Sequence, residues 1–320
     1  MNLPNCTTRP SLSWRHWHQA VPLPLLEVAL LVTWSSGFVG ARFSIDYAPP
    51  LLVVFWRCVV VTLVLLPFVA SQLRRASGAM LLKNAGIGLL AMAGYLAGIT
   101  QGIALGVPAG VAALVADLLP LGMALLAAGV LGQRLAWQVW VGLFIGLGGV
   151  ALVTHGALAW GDAPSWAYGL PLLGMLSLAV ATLWQKRLPA SQSLGLLPNL
   201  WLQCCTSGLA FAVVEGTHGS LAPVPSAGFA LSVLWTAGLS TMGGYGLYWL
   251  CLRRATATRV ASVLYLSPPL TMLWAWAMFG EPLSWQMVVG MAVSGVGIWL
   301  VVRMEARQAQ RQRDRRLEAA

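Results

Sequence analysis

Residues 109–153 read AGVAALVADLLPLGMALLAAGVLGQRLAWQVWVGLFIGLGGVALV, and residues 257–301 repeat the pattern as ATRVASVLYLSPPLTMLWAWAMFGEPLSWQMVVGMAVSGVGIWLV. At a constant offset of 148, 16 of the 45 aligned positions are identical. The matches include Pro120 with Pro268, a paired glycine and a paired Trp-Gln, which shared apolar composition does not explain. Each copy reads as an apolar helix interrupted by proline, a short polar turn and a Gly-rich apolar helix. A repeat of this length predicts two structural halves.

The composition is typical of a membrane protein. Of the 320 residues, 58% are hydrophobic and 9% are charged, and the mean hydropathy is +0.76. Soluble domains carry about 25% charged residues. The formal net charge of +10 comes from basic residues in short connections between apolar runs. That placement is typical of membrane proteins, so we expect the lipid bilayer as a partner and no nucleic acid.

Ten apolar runs are long enough to span a bilayer, which takes about 20 residues of helix. They are 22–41, 50–70, 80–101, 107–131, 136–155, 165–185, 196–214, 227–250, 257–279 and 284–303. The predicted fold is an all-α integral membrane protein with ten transmembrane helices. Five spans per repeat is an odd number, so the halves 22–155 and 165–303 must form inverted-topology repeats. Segment 1–21 precedes them, and a basic tail, 304–320, follows.

Charge placement predicts the orientation of the chain. When the ten runs are threaded alternately through a bilayer, all of the 19 Lys and Arg residues except Arg42 and Arg57 fall on one side. The positive-inside rule makes that side cytoplasmic. We therefore expect a multi-pass membrane protein with both termini in the cytoplasm.

Several motifs resemble one transporter family. Residues 34–38 (WSSGF) and 47–50 (YAPP) resemble the first helix pair of the bacterial drug/metabolite transporter superfamily, EamA type. The turns at 132–135 (GQRL) and 280–283 (GEPL) are similar to the turn in that family's repeat. The resemblance covers about residues 22–303 and implies a ten-helix inverted fold in the bacterial inner membrane. It also implies a central cavity lined by helices 1, 3, 4, 6, 8 and 9, with helices 5 and 10 outside it.

Three ionisable residues fall inside the predicted spans. Asp117 is about ten residues into the fourth span, roughly 15 Å deep, and its side chain is too short to reach an interface. A carboxylate at that depth costs about 2.5–3.5 kcal/mol, so it either couples protons in a wet cavity or is a protonated packing residue. Glu27 and Arg57 lie within roughly 10 Å of an interface, which favours anchoring or a packing ion pair.

Three prolines predict helix breaks. Pro120, Pro268 and Pro269 lack a backbone N–H, and each frees a carbonyl one turn earlier. Paired interrupted helices indicate the substrate site in inverted repeats, although a simple packing kink is the alternative. Tyr265 is the repeat counterpart of Asp117, so a carboxylate and a phenol are expected at equivalent depths.

Aromatic residues complete the candidate substrate-binding set. An organic ligand needs an apolar cavity with a few polar groups, and aromatic packing or interface anchoring is the alternative for each residue. The side chains predicted to face one central space are Trp34, Tyr95, Trp184, Tyr245, Tyr248 and Tyr265.

No catalytic motif accompanies these residues. The sequence has no phosphate-binding Gly-Lys loop, no Gly-x-Ser-x-Gly and no metal-ligand spacing, so we expect no enzyme activity, no cofactor and no metal. We predict a secondary transporter that moves a small organic metabolite or drug-like compound by alternating access. Export is the expected direction, and proton coupling through Asp117 is a hypothesis. An intramembrane enzyme and a nontransporting membrane subunit remain as alternatives, and homodimerisation stays open.

Overall fold

The computed structural model describes residues 21–132, 137–158, 163–255 and 257–318. The predicted N-terminal segment lies outside these residues except for Val21, and the basic residue Arg134 of the first polar turn lies outside them as well. Within the described ranges the chain is helical apart from short turns, and it contains no strand.

The helices are numbered in chain order. They are α1 Leu23–Ser44, α2 Pro50–Leu73, α3 Gly78–Gly88, α4 Tyr95–Ala104, α5 Ala109–Ala116, α6 Leu119–Leu131, α7 Trp137–Leu158, α8 Gly169–Arg187, α9 Leu196–His218, α10 Ala227–Leu234, α11 Gly244–Arg254, α12 Ala257–Leu264, α13 Ser267–Phe279 and α14 Trp285–Glu318. A π-helical segment, Leu89–Gly94, joins α3 to α4, and a second, Trp235–Gly243, joins α10 to α11. Single 3₁₀ turns occupy Ser165–Tyr168 and Ala190–Gln192.

Eight helical stretches are long and apolar enough to cross a membrane. They are Leu23–Ser44, Pro50–Leu73, Gly78–Ala104, Ala109–Val130, Trp137–Ala157, Ser165–Arg187, Leu196–Thr217 and Trp285–Met304. Large apolar side chains such as Phe68 and Phe144 are exposed on their outer faces, as contact with lipid requires. The remaining predicted runs, 227–250 and 257–279, are also helical, the second with a break at Tyr265 that matches the break at Asp117.

The two copies of the repeat break at equivalent positions. α5 ends at Ala116 and α6 begins at Leu119, while α12 ends at Leu264 and α13 begins at Ser267. Pro120 and Pro268 are therefore the second residues of α6 and α13, where a helix needs no backbone donor. The glycines that follow, Gly132 and Gly280, have φ of +63° and +67°, a conformation that only glycine adopts at little cost.

Helices from the first part of the chain pack on helices from the second. α2 packs along α9, α4 along α8, and α5 against α13, while α1 packs on the second π-helical segment. α7 and α14 make the most extensive contact. Their backbones touch because the contact residues are glycines: a Cβ on Gly149 would lie 2.6 Å from the Gly290 oxygen, and a Cβ on Gly297 would lie 2.6 Å from the Gly142 oxygen.

Candidate functional site

A central cavity lies among α1, α2, α4, α11 and the two π-helical segments. Its volume is about 70 Å³, which is room for a few water molecules. The walls are mostly apolar and aromatic, with few polar groups: Trp34, Gly37, Phe38, Ala41, Arg57, Ala91, Met92, Tyr95, Leu96, Ile99, Thr100, Ser240 and Tyr245. The resemblance implied that the fourth, sixth and ninth predicted spans contribute to this wall. None of the described residues of α5, α8, α12 or α13, which belong to those spans, lines the cavity, and α2 supplies Arg57 instead.

The π-helical segments border the cavity from both halves of the chain. A π-helix carries one extra residue per turn, is rare, and occurs mostly at functional sites. In the second segment the Thr241 hydroxyl donates to the Thr236 carbonyl at 2.8 Å, which satisfies a carbonyl in the widened turn. In the first segment the Ser177 hydroxyl of α8 donates to the Leu90 carbonyl at 2.9 Å. Both widened turns are thus held by hydroxyl groups.

Arg57 lies in the wall of the cavity and is buried. Its exposed fraction is 8%, and its Nε donates to Thr241 Oγ1 at 2.7 Å. It forms no ion pair within the described ranges. The prediction that it anchors at an interface or pairs with an acid was therefore wrong. The cause is that α2 turns this side chain toward the second π-helical segment, which a count of residues from the helix end does not reveal.

Three of the predicted aromatic residues form one wall of the site. The Trp34 ring lies 6.1 Å from the Tyr245 ring and 6.0 Å from the Tyr248 ring, measured between centroids. Trp34 and Tyr245 line the cavity, whereas Tyr248 supports Trp34 from behind. Tyr95 lines the same cavity from α4. The structure thus brings Trp34, Tyr95 and Tyr245 together.

Trp184 does not reach this space. Its side chain is 39% exposed near the end of α8, and its ring fills the room over Gly86, where a Cβ would lie 2.9 Å from it. Trp34 and Trp184 occupy similar positions along their halves, but the two residues face different directions around their helix axes. The expectation that Trp184 faces the central space is corrected accordingly.

Asp117 and Tyr265 border a second cavity. This cavity has a volume of about 260 Å³ and lies between the two helix breaks and α14, with Pro268 and Pro269 in its wall. Asp117 Oδ2 is buried and has no hydrogen-bond partner in the part of the chain that the structure describes. Pro120, on the far side of the Asp117 turn, is not in the lining. The expected single space for all candidates is therefore divided into two.

Tyr95 lines the central cavity. It also packs against the cluster of buried apolar residues to which Ala112, Ala113 and Ala116 of α5 belong.

Ion pairs bracket the cavity at the two ends of α1. Near its start, Arg259 donates from Nε to Glu27 Oε1 at 2.6 Å and from Nη2 to Oε2 at 2.9 Å, so Glu27 takes part in a packing ion pair. Near its end, Arg42 contacts Asp46 at 3.0 Å and Glu281 at 3.6 Å. The cavity-lining residues of α1 lie between these two pairs.

Glu281 joins the loop before α14 to α5. Its Oε2 accepts a hydrogen bond from the Ala109 N–H at 2.9 Å, at the first turn of α5, where a carboxylate is favoured. Burial raises the pKa of Glu281 above its ordinary value, and the Ala109 N–H and the Arg42 guanidinium oppose that rise.

Metal binding has no support in the described ranges, where no group of three or more His, Cys, Asp and Glu side chains could hold an ion. The sequence did not assign Arg57, Thr241 or the π-helical segments to the central cavity. The one available signal was Arg57 itself, since an arginine within an apolar run is a functional candidate by default.

Comparison with known proteins identifies relatives along most of the chain. The model of the EamA-like transporter family matches residues 24–155 and 165–303, which confirms the resemblance seen in the sequence. The uncharacterized inner membrane transporter YedA of Escherichia coli (strain K12) is 26% identical over 272 residues, which are 84% of this chain and 86% of YedA.

Two further matches are more distant. A chloroplastic WAT1-related protein of Arabidopsis thaliana is 25% identical over 199 residues, which are 58% of this chain and 46% of that protein. A solved crystal structure covers 89% of this chain and 97% of its own at a TM-score of 0.57 and 20% identity, a likeness that concerns the fold alone.

Proposed function

This chain belongs to the EamA-like transporter family, and from that premise we propose that it carries a small organic metabolite or drug-like compound across the bacterial inner membrane by alternating access. The observation that carries the proposal is the central cavity, which both halves of the chain line and which ion pairs bracket at the two ends of α1. An apolar cavity with a few polar groups suits an organic substrate. We propose no enzymatic activity, because no nucleophile–base pair adjoins the cavity among the residues described.

The same proposal includes ten membrane spans arranged as inverted repeats, 22–155 and 165–303. Three observations support it: the offset of 148 in the sequence, the matching helix breaks, and the packing of each early helix on a late one. Broken helices at equivalent places, near a cavity between the halves, are typical of inverted-repeat transporters. The lipid-facing surface also leaves room for a homodimer, which stays a prediction.

Alternating access requires the cavity to open toward each side in turn. α1 is joined to α12 through Glu27 and Arg259 near one end, and to the loop before α14 through Arg42 and Glu281 near the other. Breaking one pair while the other holds would rock α1 about its middle, where the Ser35 hydroxyl donates to Ser267 Oγ at 3.1 Å. The two ion pairs are therefore proposed as the inner and outer closures.

We place both termini in the cytoplasm. Reporter fusions after Lys83, Arg187 and Arg259 should give cytoplasmic signals, and fusions after Asp46 and Glu215 should give periplasmic signals, because basic residues remain inside. Periplasmic signals at both Arg187 and Arg259 would exclude the inverted arrangement.

The most specific part of the proposal is that export is coupled to proton movement. Export is the proposed direction, and the buried Asp117 Oδ2 without a hydrogen-bond partner among the described residues supports a role for this carboxylate in proton movement. The Asp117→Asn variant keeps the shape of the side chain but cannot titrate. It should lose gradient-driven transport and keep exchange without a gradient, whereas superimposable transport–pH curves for variant and parent would contradict proton coupling.

The transport activity itself is tested with purified full-length protein in proteoliposomes. A panel of small organic acids, amides and amines is loaded inside, and saturable exchange with labelled external compound is measured. Exchange above that of empty liposomes supports a carrier. If no member of the panel exchanges and no cavity position is reachable from water, the protein is a nontransporting membrane subunit instead.

A further inference from the structure

We propose that Arg57 is the anion-binding group of the central cavity and that the ligand is a small organic carboxylate with an apolar or aromatic body, which enters when the cavity widens beyond its present volume of about 70 Å³. This inference deepens the proposed transport function and rests on it for its physiological meaning. Arginine is always charged, and a buried charge without a partner is costly unless a ligand or counter-ion completes it.

The counter-ion of Arg57 is missing from the described part of the chain. No described Asp or Glu oxygen lies within the ion-pair distance of 4.0 Å from its guanidinium. Glu27 is taken by Arg259, and Glu281 by Arg42 and the Ala109 N–H. Asp117 borders the other cavity. An anionic ligand would supply the charge that the protein does not.

The hydrogen bond to Thr241 orients the guanidinium for such a ligand. Nε donates to Thr241 Oγ1 at 2.7 Å, and that hydroxyl is itself fixed by its own donation to the Thr236 carbonyl. Nη1 and Nη2 make no further hydrogen bond to the described residues, and Arg57 lines the cavity. The two terminal nitrogens of an arginine match the two oxygens of a carboxylate in a bidentate pair.

The other side chains in the cavity wall determine which part of a ligand can pack beside its carboxylate. Trp34 and Tyr245 form an aromatic corner, with ring centroids 6.1 Å apart, and Phe38 and Met92 add apolar surface. These groups favour a flat or branched apolar group next to the carboxylate. A cationic amine of the same size would meet the Arg57 charge with no acid in the lining to offset it.

Three matched probes test the proposal: phenylacetate, phenylacetamide and phenethylamine share one body and differ in head-group charge. Their dissociation constants are measured by calorimetry on the full-length protein in nanodiscs. We expect phenylacetate to bind roughly 10- to 100-fold more tightly than phenylacetamide, because charge-assisted hydrogen bonds have that strength, and phenethylamine to bind most weakly. A parent protein that binds none of the three, or binds them without this order, overturns the proposal.

Variants locate the effect at Arg57. Arg57→Gln should remove the preference for phenylacetate, and Arg57→Lys should keep part of that preference. Thr241→Val should weaken the binding of phenylacetate several-fold and leave the binding of phenylacetamide unchanged. The exposed Arg75 supplies the matched control, since Arg75→Gln should leave all three affinities unchanged. A preference that persists in Arg57→Gln refutes the assignment.

A measurement on the parent protein tests the proposal if the Arg57→Gln variant does not fold. Phenylglyoxal modifies arginine, and peptide mass spectrometry reads the rate at Arg57. Phenylacetate should slow that rate and phenylacetamide should not; equal protection by both contradicts the proposal. The anion site and the transport function can be refuted independently of each other. Binding of the three probes in the expected order without any exchange would refute the carrier. Exchange of all three probes at equal rates would refute the anion site.

Discussion

The contact between α7 and α14 can be tested with two adjacent glycines. A Cβ on Gly149 would lie 2.6 Å from the Gly290 oxygen, and it would be closer still to the Ser294 nitrogen. A Cβ on Gly148 would have no atom within 4 Å. The two positions are neighbours on one helix, so they share its helix propensity and its surroundings in the bilayer. They differ in whether the partner backbone touches them.

The expected magnitude follows from that distance. A carbon and a carbonyl oxygen in contact are about 3.3–3.6 Å apart, so Gly149→Ala must separate the two backbones by roughly 0.7–1 Å across this contact. Overpacking of this kind costs about 1–3 kcal/mol. Gly148→Ala meets nothing and gains up to about 1 kcal/mol of helix propensity.

Thermal unfolding of the purified protein in detergent measures the difference. Gly149→Ala should lower the unfolding temperature by roughly 2–6 °C, and Gly148→Ala should leave it equal or slightly raised. Gly297→Ala and Gly295→Ala form the same test from the partner helix, because a Cβ on Gly297 meets the Gly142 oxygen and one on Gly295 meets nothing. Equal unfolding temperatures for Gly148→Ala and Gly149→Ala would refute the close contact.

The charged contacts at the two ends of α1 give two further predictions. Glu27→Gln and Arg259→Gln should each lower the unfolding temperature. The double variant should lower it no further than the less stable single variant, because both substitutions remove the same ion pair. Additive losses in the double variant would argue against the pair. Burial raises the pKa of Glu281 above its ordinary 4.5, so the folded chain holds this proton more tightly than the unfolded chain. The stability that the group contributes is therefore present at low pH and lost as pH rises through its raised pKa. Unfolding temperatures measured from about pH 4 to pH 8 should fall less steeply in Glu281→Gln than in the parent, and identical slopes would contradict the burial.

The repeat made much of the backbone predictable. The offset of 148 located the breaks at Asp117 and Tyr265 and the glycine turns at Gly132 and Gly280, because proline and glycine act through local backbone geometry. Apolar run lengths located the helices within a few residues, except that α14 continues to Glu318, 15 residues past the predicted span 284–303. The π-helical segments were not predictable, because neither Leu89–Gly94 nor Trp235–Gly243 contains a proline or a charged residue that would mark a break in its apolar run.

The site was predicted less well, for a geometric reason. Sequence gives the depth of a residue along a helix but not the direction in which its side chain points. Arg57 was interpreted as an interface residue from its depth, and Trp184 as a cavity residue from its similarity in position to Trp34. Both errors concern direction around the helix axis, which tertiary packing decides. Trp34, Tyr95 and Tyr245 line the central cavity as expected, and their role in substrate binding stays a prediction.

The central claim is that one cavity opens to each side of the membrane in turn, and cysteine accessibility tests it without knowledge of the substrate. The native cysteines, of which the four described ones are free thiols, are replaced by alanine, and Ser240→Cys places a single thiol in the cavity wall. Leu63→Cys, at a site 63% exposed on the outer face, is the lipid-facing control.

The thiols are treated with a membrane-impermeant methanethiosulfonate in right-side-out and in inside-out vesicles. Alternating access predicts that the thiol at position 240 reacts in both kinds of vesicle and that the thiol at position 63 reacts in neither. Reaction of position 240 from one side only, or from neither side, would contradict the account.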